Sequence, residues 1–236
     1  MNAAAANRRV DAYVESGVGM AWDDTFVAWT FDLDTWGRCG QGLDEASALA
    51  DLRDELRRAG VDATDIRVVE RLRGDELTFE RDARPATEDE RAATLAILGA
   101  ARAATFALLD ACPDELLDVD NPARVLPTFA RWRTLRAMFW HVADADCRYY
   151  LGGLGLETRP RAADLATEMN ECTAHVRRVV GAMPLDRTAR DDQGQWTSTK
   201  VLRRLAWHER SELRAMRDLA VANAALLGWH FRLPSD

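Results

Sequence analysis

The chain has 236 residues, of which 47% are apolar and 30% are charged, so its composition excludes a mainly disordered protein. Its length suits one large domain or two small ones. The formal net charge is −8, and residues 1–85 carry eleven basic against eighteen acidic side chains. This balance argues against nucleic-acid binding, because phosphate contacts need clustered positive charge.

Nothing in the sequence predicts export or insertion into a membrane. No uncharged apolar run approaches the roughly 20 residues that a membrane-spanning helix needs, and the first ten residues have no apolar signal core. The four cysteines lie far apart and form no CxxC pair, as in a protein whose thiols stay reduced. We therefore expect a cytoplasmic protein.

The front half has the patterning of a small α+β unit. Apolar residues at helical spacing predict a helix from 43 to about 58, which Gly60 ends. Runs of β-branched and aromatic residues predict strands. These strands are expected at 9–14, 25–31, 66–69 and 76–79. Residues 1–82 are therefore predicted to form a small antiparallel sheet with one helix.

Beyond a linker at 83–87, the apolar period changes to that of amphipathic helices. Pro85 interrupts any helix, and Thr87 can cap the next one. Four helices are predicted, at about 88–111, 126–151, 161–182 and 197–227. Their lengths predict an all-α, up-down four-helix bundle in residues 88–236, and so a chain of two domains.

The fourth predicted helix carries the residues that point most clearly to chemistry. Residues at steps of three or four form one face of it: Val201, Leu205, His208, Glu212, Met216 and Leu219. This face is apolar except for His208 and Glu212, which lie one turn apart. A buried carboxylate is costly unless something compensates its charge. Glu212 therefore needs His208, an arginine or a metal ion as its partner.

The second predicted helix offers a matching histidine. Its inward face is outlined by Trp132, Leu135, Met138, Val142 and Tyr149. His141 lies within this face, so two helices each direct an imidazole toward a shared interior. Together with Glu212 they predict a three-ligand site for a divalent transition metal, whose open positions suit catalysis. The alternative is that His208 and Glu212 bond to each other, or that Glu212 pairs with an arginine.

Two segments of the helical half resemble DinB-like (DinB/YfiT) proteins. Residues 196–213 (WTSTKVLRRLAWHERSEL) resemble the last helix of that family, and residues 135–146 (LRAMFWHVADAD) resemble its second helix. The resemblance covers about 88–230. It implies a four-helix bundle that binds zinc, nickel or a similar ion through three histidines. His141 and His208 stand at two of these three positions.

Glu212 stands where the family has its third histidine. A carboxylate there shifts the expected ion toward Mn²⁺ or Fe²⁺, or marks a site that has lost its metal. The resemblance also implies a homodimer and, for some relatives, a low-molecular-weight thiol such as mycothiol or bacillithiol, whose thiolate a cation stabilises. The reaction does not follow from the fold.

The front half resembles another family. Residues 28–47 (AWTFDLDTWGRCGQGLDEAS) resemble the core of HicB-like antitoxin domains, over about 8–80. This resemblance implies that Cys39 packs inside a turn, and it raises the prospect of a basic protein partner for the acidic front half. The predicted bundle occupies the place of the family's DNA-binding tail, so antitoxin function is not carried over.

Two functional hypotheses follow. The first is a metal-binding protein, with enzymatic activity of a thiol-dependent transferase or hydrolase type on a small-molecule substrate. The alternative is a non-catalytic regulatory protein that docks a partner through its front half. A third role for the front half is to shape the mouth of the bundle's pocket or to mediate dimerisation. Asp144 is a candidate to orient the ring of His141, with an exposed helix charge as its equal alternative. His175 is a candidate extra ligand or base, with a packing or surface role as its alternative.

Overall fold

A computed structural model of the protein describes residues 8–191 and 194–234 and has a mixed α+β architecture. A four-stranded sheet with one helix is followed by a set of helices with a short strand pair. In chain order the elements are β1 (Arg8–Val18), β2 (Thr25–Trp29), β3 (Cys39–Gly42), α1 (Glu45–Arg58), β4 (Ala63–Arg73), α2 (Glu88–Ala111), α3 (Asp114–Leu117), α4 (Leu135–Asp144), α5 (Leu151–Gly153), α6 (Leu165–Ala182), β5 (Thr188–Asp191), β6 (Gly194–Thr197) and α7 (Ser198–Leu226).

The larger sheet has the strand order β3-β2-β1-β4. The β1/β2 and β2/β3 pairs are antiparallel, whereas β1 and β4 run parallel. The prediction of an antiparallel sheet was therefore wrong for one pair. The reason is that α1 carries the chain back across the sheet, so that β4 starts at the same end as β1.

The strand predicted at 76–79 is absent from the described structure. Gly74 and Glu76 both have positive φ, at 144° and 53°, and they turn the chain away from the sheet. The Glu76 carbonyl then accepts a hydrogen bond from Lys200 Nζ, on α7. In the described structure this segment therefore contacts α7 and is not part of the four-stranded sheet.

Helix α1 lies on the sheet and is closely packed against β3. Asp44 caps it by accepting a hydrogen bond from Ser47 N at 2.7 Å, and its apolar side buries Leu52 and Leu56. A methyl group built on Gly40 would lie 2.0 Å from Leu52 N and 2.2 Å from Ala48 O. Only glycine therefore allows the backbones of β3 and α1 to approach this closely.

We expect Gly40→Ala to lower the free energy of unfolding by about 3 kcal/mol or more, because two backbones have to separate to admit the methyl group. Urea denaturation measures this loss. Gly99→Ala is the matched control: no atom lies within 4 Å of its built methyl group. We expect that control to stabilise α2 by about 0.5–1 kcal/mol. Equal effects of the two substitutions would contradict the close packing at Gly40.

The first and last predicted long helices match α2 and α7. Thr87 and Thr197 cap them by accepting hydrogen bonds from Glu90 N and Lys200 N, both at 3.1 Å. The short side-chain hydroxyl therefore marks each start, as predicted for Thr87.

The two middle helices begin later than predicted. The second starts at Leu135 and not at 126, since Pro127 disfavours helix at the residue before it and Thr134 provides the cap. The third starts at Leu165 and not at 161, with Asp164 as its cap. The helical spacing of apolar residues thus extended beyond the segments that are helical.

The four longer helical segments pack around a common interior. Helix α2 contacts α6 and α7, and α4 contacts the same two helices. Between α4 and α5 the chain passes without a break through a π-helical segment, Ala145–Tyr150. Such segments widen one turn of a helix and shift the direction of the side chains that follow.

Helix α2 is long and apolar enough to cross a membrane by composition alone, which is weak evidence of a membrane span. It packs against α6 and α7, and its Arg102 makes a buried ion pair with Asp146. About a third of its most apolar stretch is buried in the described structure.

The front and helical halves share buried contacts through α7. Arg203 donates to Asp82 at 2.6 Å and Arg204 donates to Glu15 at 3.0 Å, and all four side chains are fully buried. A methyl group on Gly37 would lie 2.5 Å from Ala206 Cβ, which shows how closely the front half approaches this helix. The division into domains at 82 and 88 stays a prediction.

Candidate metal centre

Three candidate ligand atoms from two helices lie within a few ångströms of one another. His141 Nε2 and His208 Nε2 are 3.2 Å apart, and Glu212 Oε1 is 3.9 Å from each of them. The point that lies in the plane of these three atoms and is equidistant from them is about 2.1 Å from each. Zn²⁺ binds imidazole nitrogen or carboxylate oxygen at about this distance. The spacing of the three atoms therefore fits a bound divalent cation.

The local sequence explains this arrangement. His208 and Glu212 are four residues apart on α7, so they project from the same face. His141 comes from the facing helix α4. The ring of Trp132, just before that helix, stacks on His141 with 3.5 Å between ring centroids and 8° between planes. This stacking limits the orientations that the imidazole can adopt.

Burial shifts the pKa values of His141 and Glu212. Burial, together with the nearby His208, lowers the pKa of His141 to about 3, so this imidazole is neutral at physiological pH. Burial raises the pKa of Glu212, and its Oε2 is buried without a hydrogen-bond partner. A buried carboxylate oxygen without a partner is costly, and a bound cation would remove that cost.

Behind His208 lies a carboxylate that the sequence analysis missed. Asp146 Oδ1 is 3.2 Å from His208 Nδ1, and Arg102 Nη2 donates to Asp146 Oδ2 at 2.7 Å. Burial raises the pKa of Asp146, but the hydrogen bond with His208 and the charge of Arg102 outweigh burial and hold that pKa below its ordinary value. Asp146 is therefore a buried, ionised acceptor for the imidazole.

A second carboxylate shares Arg102. Glu209 Oε1 lies 2.8 Å from Arg102 Nη2, and the side chain is almost completely buried. Burial raises the pKa of Glu209 well above its ordinary value, and the nearby Asp146 raises it further. Asp146 and Glu209 thus share the single positive charge of Arg102.

The sequence pattern pointed to Asp144 and not to Asp146. Asp144 forms ion pairs with Arg161 and, at 3.4 Å, with Arg148, so its carboxylate is bound elsewhere. In a regular helix Asp146 would lie about 140° around the axis from His141. The π-helical segment that begins at Ala145 reduces this angle, and nothing in the apolar period of the sequence indicated it.

His175, the extra ligand or base considered from sequence, does not join the site. Its Nε2 bonds the carbonyl of Glu157 at 2.8 Å, with its other ring nitrogen facing Arg178. The thiol of Cys147 is also turned away from the site: it is buried, with its sulfur 2.8 Å from the sulfur of Cys172. Both side chains therefore have packing roles.

A cavity of about 1310 Å³ opens onto the three candidate ligands. Its walls come from both halves of the chain, and buried Arg204 from α7 is among them. Aromatic and sulfur-containing side chains form much of the surface around the site: Met20, Phe129, Trp132, Tyr149, Tyr150 and Trp207. The front half thus contributes directly to the space in front of the candidate ligands.

No family model matches the sequence, and no curated protein matches it either. Among solved structures, the chain is similar to one described as "YfiT from Bacillus subtilis is a probable metal-dependent hydrolase with an unusual four-helix bundle topology". The identity is 15% and the TM-score is 0.47, over 66% of this chain and 96% of that one. At this level of similarity the comparison assigns neither an activity nor a residue role to the chain, and it does not identify a HicB-like domain.

Proposed function

We propose that the protein is a divalent-metal-dependent enzyme that acts on a small molecule bound in the cavity. His141, His208 and Glu212 would hold the ion. The observation that carries this proposal is the convergence of their three ligand atoms, at separations that suit a cation, on the wall of a large cavity.

The chemistry of the ligand atoms supports the fit. His141 is neutral, as a ligand must be, and the orphaned oxygen of Glu212 needs a positive charge beside it. Two imidazoles and one carboxylate form a set known from catalytic Zn²⁺ sites and from non-haem Fe²⁺ sites, and Ni²⁺ and Mn²⁺ accept the same ligand types. Three protein ligands leave positions open for a water, a thiol or a substrate oxygen.

A bound ion would polarise a substrate oxygen or lower the pKa of a water or thiol, which suits a hydrolase or a thiol-dependent transferase. The chain's own residues prepare the site: Trp132 covers one face of His141, and Asp146 orients His208. The cavity, at about 1310 Å³, exceeds the roughly 300–1,000 Å³ of ordinary small-molecule pockets. This volume has room for a substrate together with a second reactant such as a low-molecular-weight thiol.

The alternative of a basic protein partner on the acidic front half has less support. The acidic residues of α1 already form ion pairs with arginines of the same chain. Asp54 pairs with Arg57 at 2.6 Å, and Glu55 pairs with Arg214 of α7. A partner would have to compete with these internal ion pairs.

Elemental analysis of protein purified without a metal-affinity tag tests the proposal. We expect about one equivalent of a divalent transition metal in the wild type and below about a tenth in His141→Ala, because two remaining ligands hold an ion weakly. His175→Ala is the matched control, since it removes a buried histidine away from the cavity. A metal content equally low in the wild type, even after incubation with Zn²⁺, Mn²⁺ or Fe²⁺, would contradict the proposal.

A further inference from the structure

His208 is held from both sides by residues of the chain segment that begins with α4. Its Nε2 lies 3.2 Å from His141 Nε2, and its Nδ1 lies 3.2 Å from Asp146 Oδ1. Asp146 has no exposed surface, and Arg102 donates to its second oxygen. Because an ionised carboxylate can only accept, the ring nitrogen that faces it must carry the proton. In the neutral ring this places the lone pair on Nε2, the nitrogen that faces the other two candidate ligands.

The π-helical segment makes this double contact possible. His141 and Asp146 are five residues apart, and in an α-helix they would point in directions about 140° apart. The wider turn that begins at Ala145 brings Asp146 toward the ring that His141 also reaches. One helical segment therefore carries both the candidate ligand His141 and Asp146, which accepts a hydrogen bond from the second candidate ligand, His208.

We propose that Asp146, held by Arg102, is the positioning residue of the metal centre: it fixes His208 in the Nδ1–H form, so that Nε2 is free for the ion. The role in metal binding rests on the proposed function, whereas the tautomer is a property of the metal-free protein. In that metal-free state His208 Nε2 accepts a hydrogen bond from His141 Nε2–H, since the two atoms are 3.2 Å apart.

Asp146→Asn should change which ring nitrogen of His208 carries the proton, because an amide has nearly the same shape as a carboxylate but can also donate a hydrogen bond. An NH₂ group facing the guanidinium of Arg102 would oppose one donor to another, so the amide oxygen of the new side chain faces Arg102 and its NH₂ group faces His208. The Nδ1 atom must then accept, and the proton moves to Nε2, where it blocks the metal. Substitution of the aspartate behind a catalytic histidine by asparagine produces the wrong tautomer in the same way in serine proteases.

The tautomers are measured by two-bond ¹H–¹⁵N correlation NMR on ¹⁵N-histidine-labelled, metal-free protein at pH 8. The chain has four histidines, so His141 and His208 are assigned with single alanine variants. We expect the proton of His208 on Nδ1 in the wild type and on Nε2 in Asp146→Asn. We also expect the affinity for Zn²⁺ to fall by about ten- to a hundredfold in that variant.

Asp82→Asn is the matched control, because Asp82 is also fully buried and bound to an arginine, but it does not contact His208. We expect it to leave the tautomer and the Zn²⁺ affinity unchanged. A proton on Nε2 in the wild type would overturn the proposal without any variant, even if Asp146→Asn fails to fold. An equal loss of Zn²⁺ affinity in both variants would also overturn it. A wild type with the expected tautomer but no Zn²⁺ binding would contradict the proposed function and leave the positioning of the ring intact.

Discussion

His208→Ala should lower the affinity of the protein for Zn²⁺ by about sixtyfold or more. Structural zinc sites with four ligands bind with about 10–16 kcal/mol, so one ligand accounts for roughly 2.5–4 kcal/mol, and each 1.4 kcal/mol is a factor of ten. His208 contributes one of three candidate ligands, and its ring is almost completely buried. Competition with a chromophoric chelator measures the dissociation constant.

The substitution also removes the hydrogen bond between Asp146 and His208, so a loss of stability has to be separated from a loss of a ligand. Urea denaturation of both proteins in excess EDTA gives the stability difference without metal. We expect His175→Ala to bind Zn²⁺ as tightly as the wild type, because that ring lies outside the site. An affinity of His208→Ala within about threefold of the wild type would contradict the three-ligand centre.

Asp82→Ala should lower the free energy of unfolding by about 3–5 kcal/mol, because it leaves the buried charge of Arg203 without its partner. Both side chains have no exposed surface, and the guanidinium donates to the two carboxylate oxygens at 2.6 and 3.1 Å. The Arg203 guanidinium also lies 4.3 Å from the centre of the Trp29 ring, a contact that does not replace a counter-charge. Urea denaturation followed by circular dichroism measures the loss.

Replacing both partners distinguishes an uncompensated charge from lost packing. We expect Asp82→Leu with Arg203→Met to recover most of the stability, since apolar residues of similar size often replace a buried ion pair without loss. Asp11→Ala is the exposed control: it breaks the half-exposed pair with Arg67 and should cost less than about 1 kcal/mol. Equal losses for Asp82→Ala and Asp11→Ala would contradict a central role of the Asp82–Arg203 ion pair.

The parts of the fold that local chemistry controls could be predicted from the sequence. Thr87 followed by apolar residues at helical spacing predicted the start of α2 at Glu88, and the apolar spacing placed the starts of α1 and α7 within two residues of Glu45 and Ser198. The predicted start of the second long helix at 126 was wrong, because Pro127 and the Thr134 cap outweigh an apolar pattern that continues through the preceding loop.

Pairing between distant segments was less predictable. The parallel β1/β4 pair depends on where α1 returns the chain, and the segment predicted as a strand at 76–79 follows a Glu76 carbonyl that accepts a hydrogen bond from Lys200. Neither contact leaves a periodic signal in the residues involved. The same holds for Arg203 and Arg204, which bind carboxylates of the front half and lie more than 100 positions from them in sequence.

For the candidate site, there is a simple physical reason why the three ligands could be predicted from the sequence and Asp146 could not. A period of 3.6 residues is visible in a sequence, so His141, His208 and Glu212 could be assigned to inward helix faces before any coordinates were known. The break in that period at Ala145–Tyr150, which directs Asp146 toward His208, depends on how the helix packs against its neighbours and leaves no local signature. The sequence therefore determined which helix faces carry the candidate ligands. Only the packing of distant segments decided which residue supports His208 and how the front half forms part of the cavity.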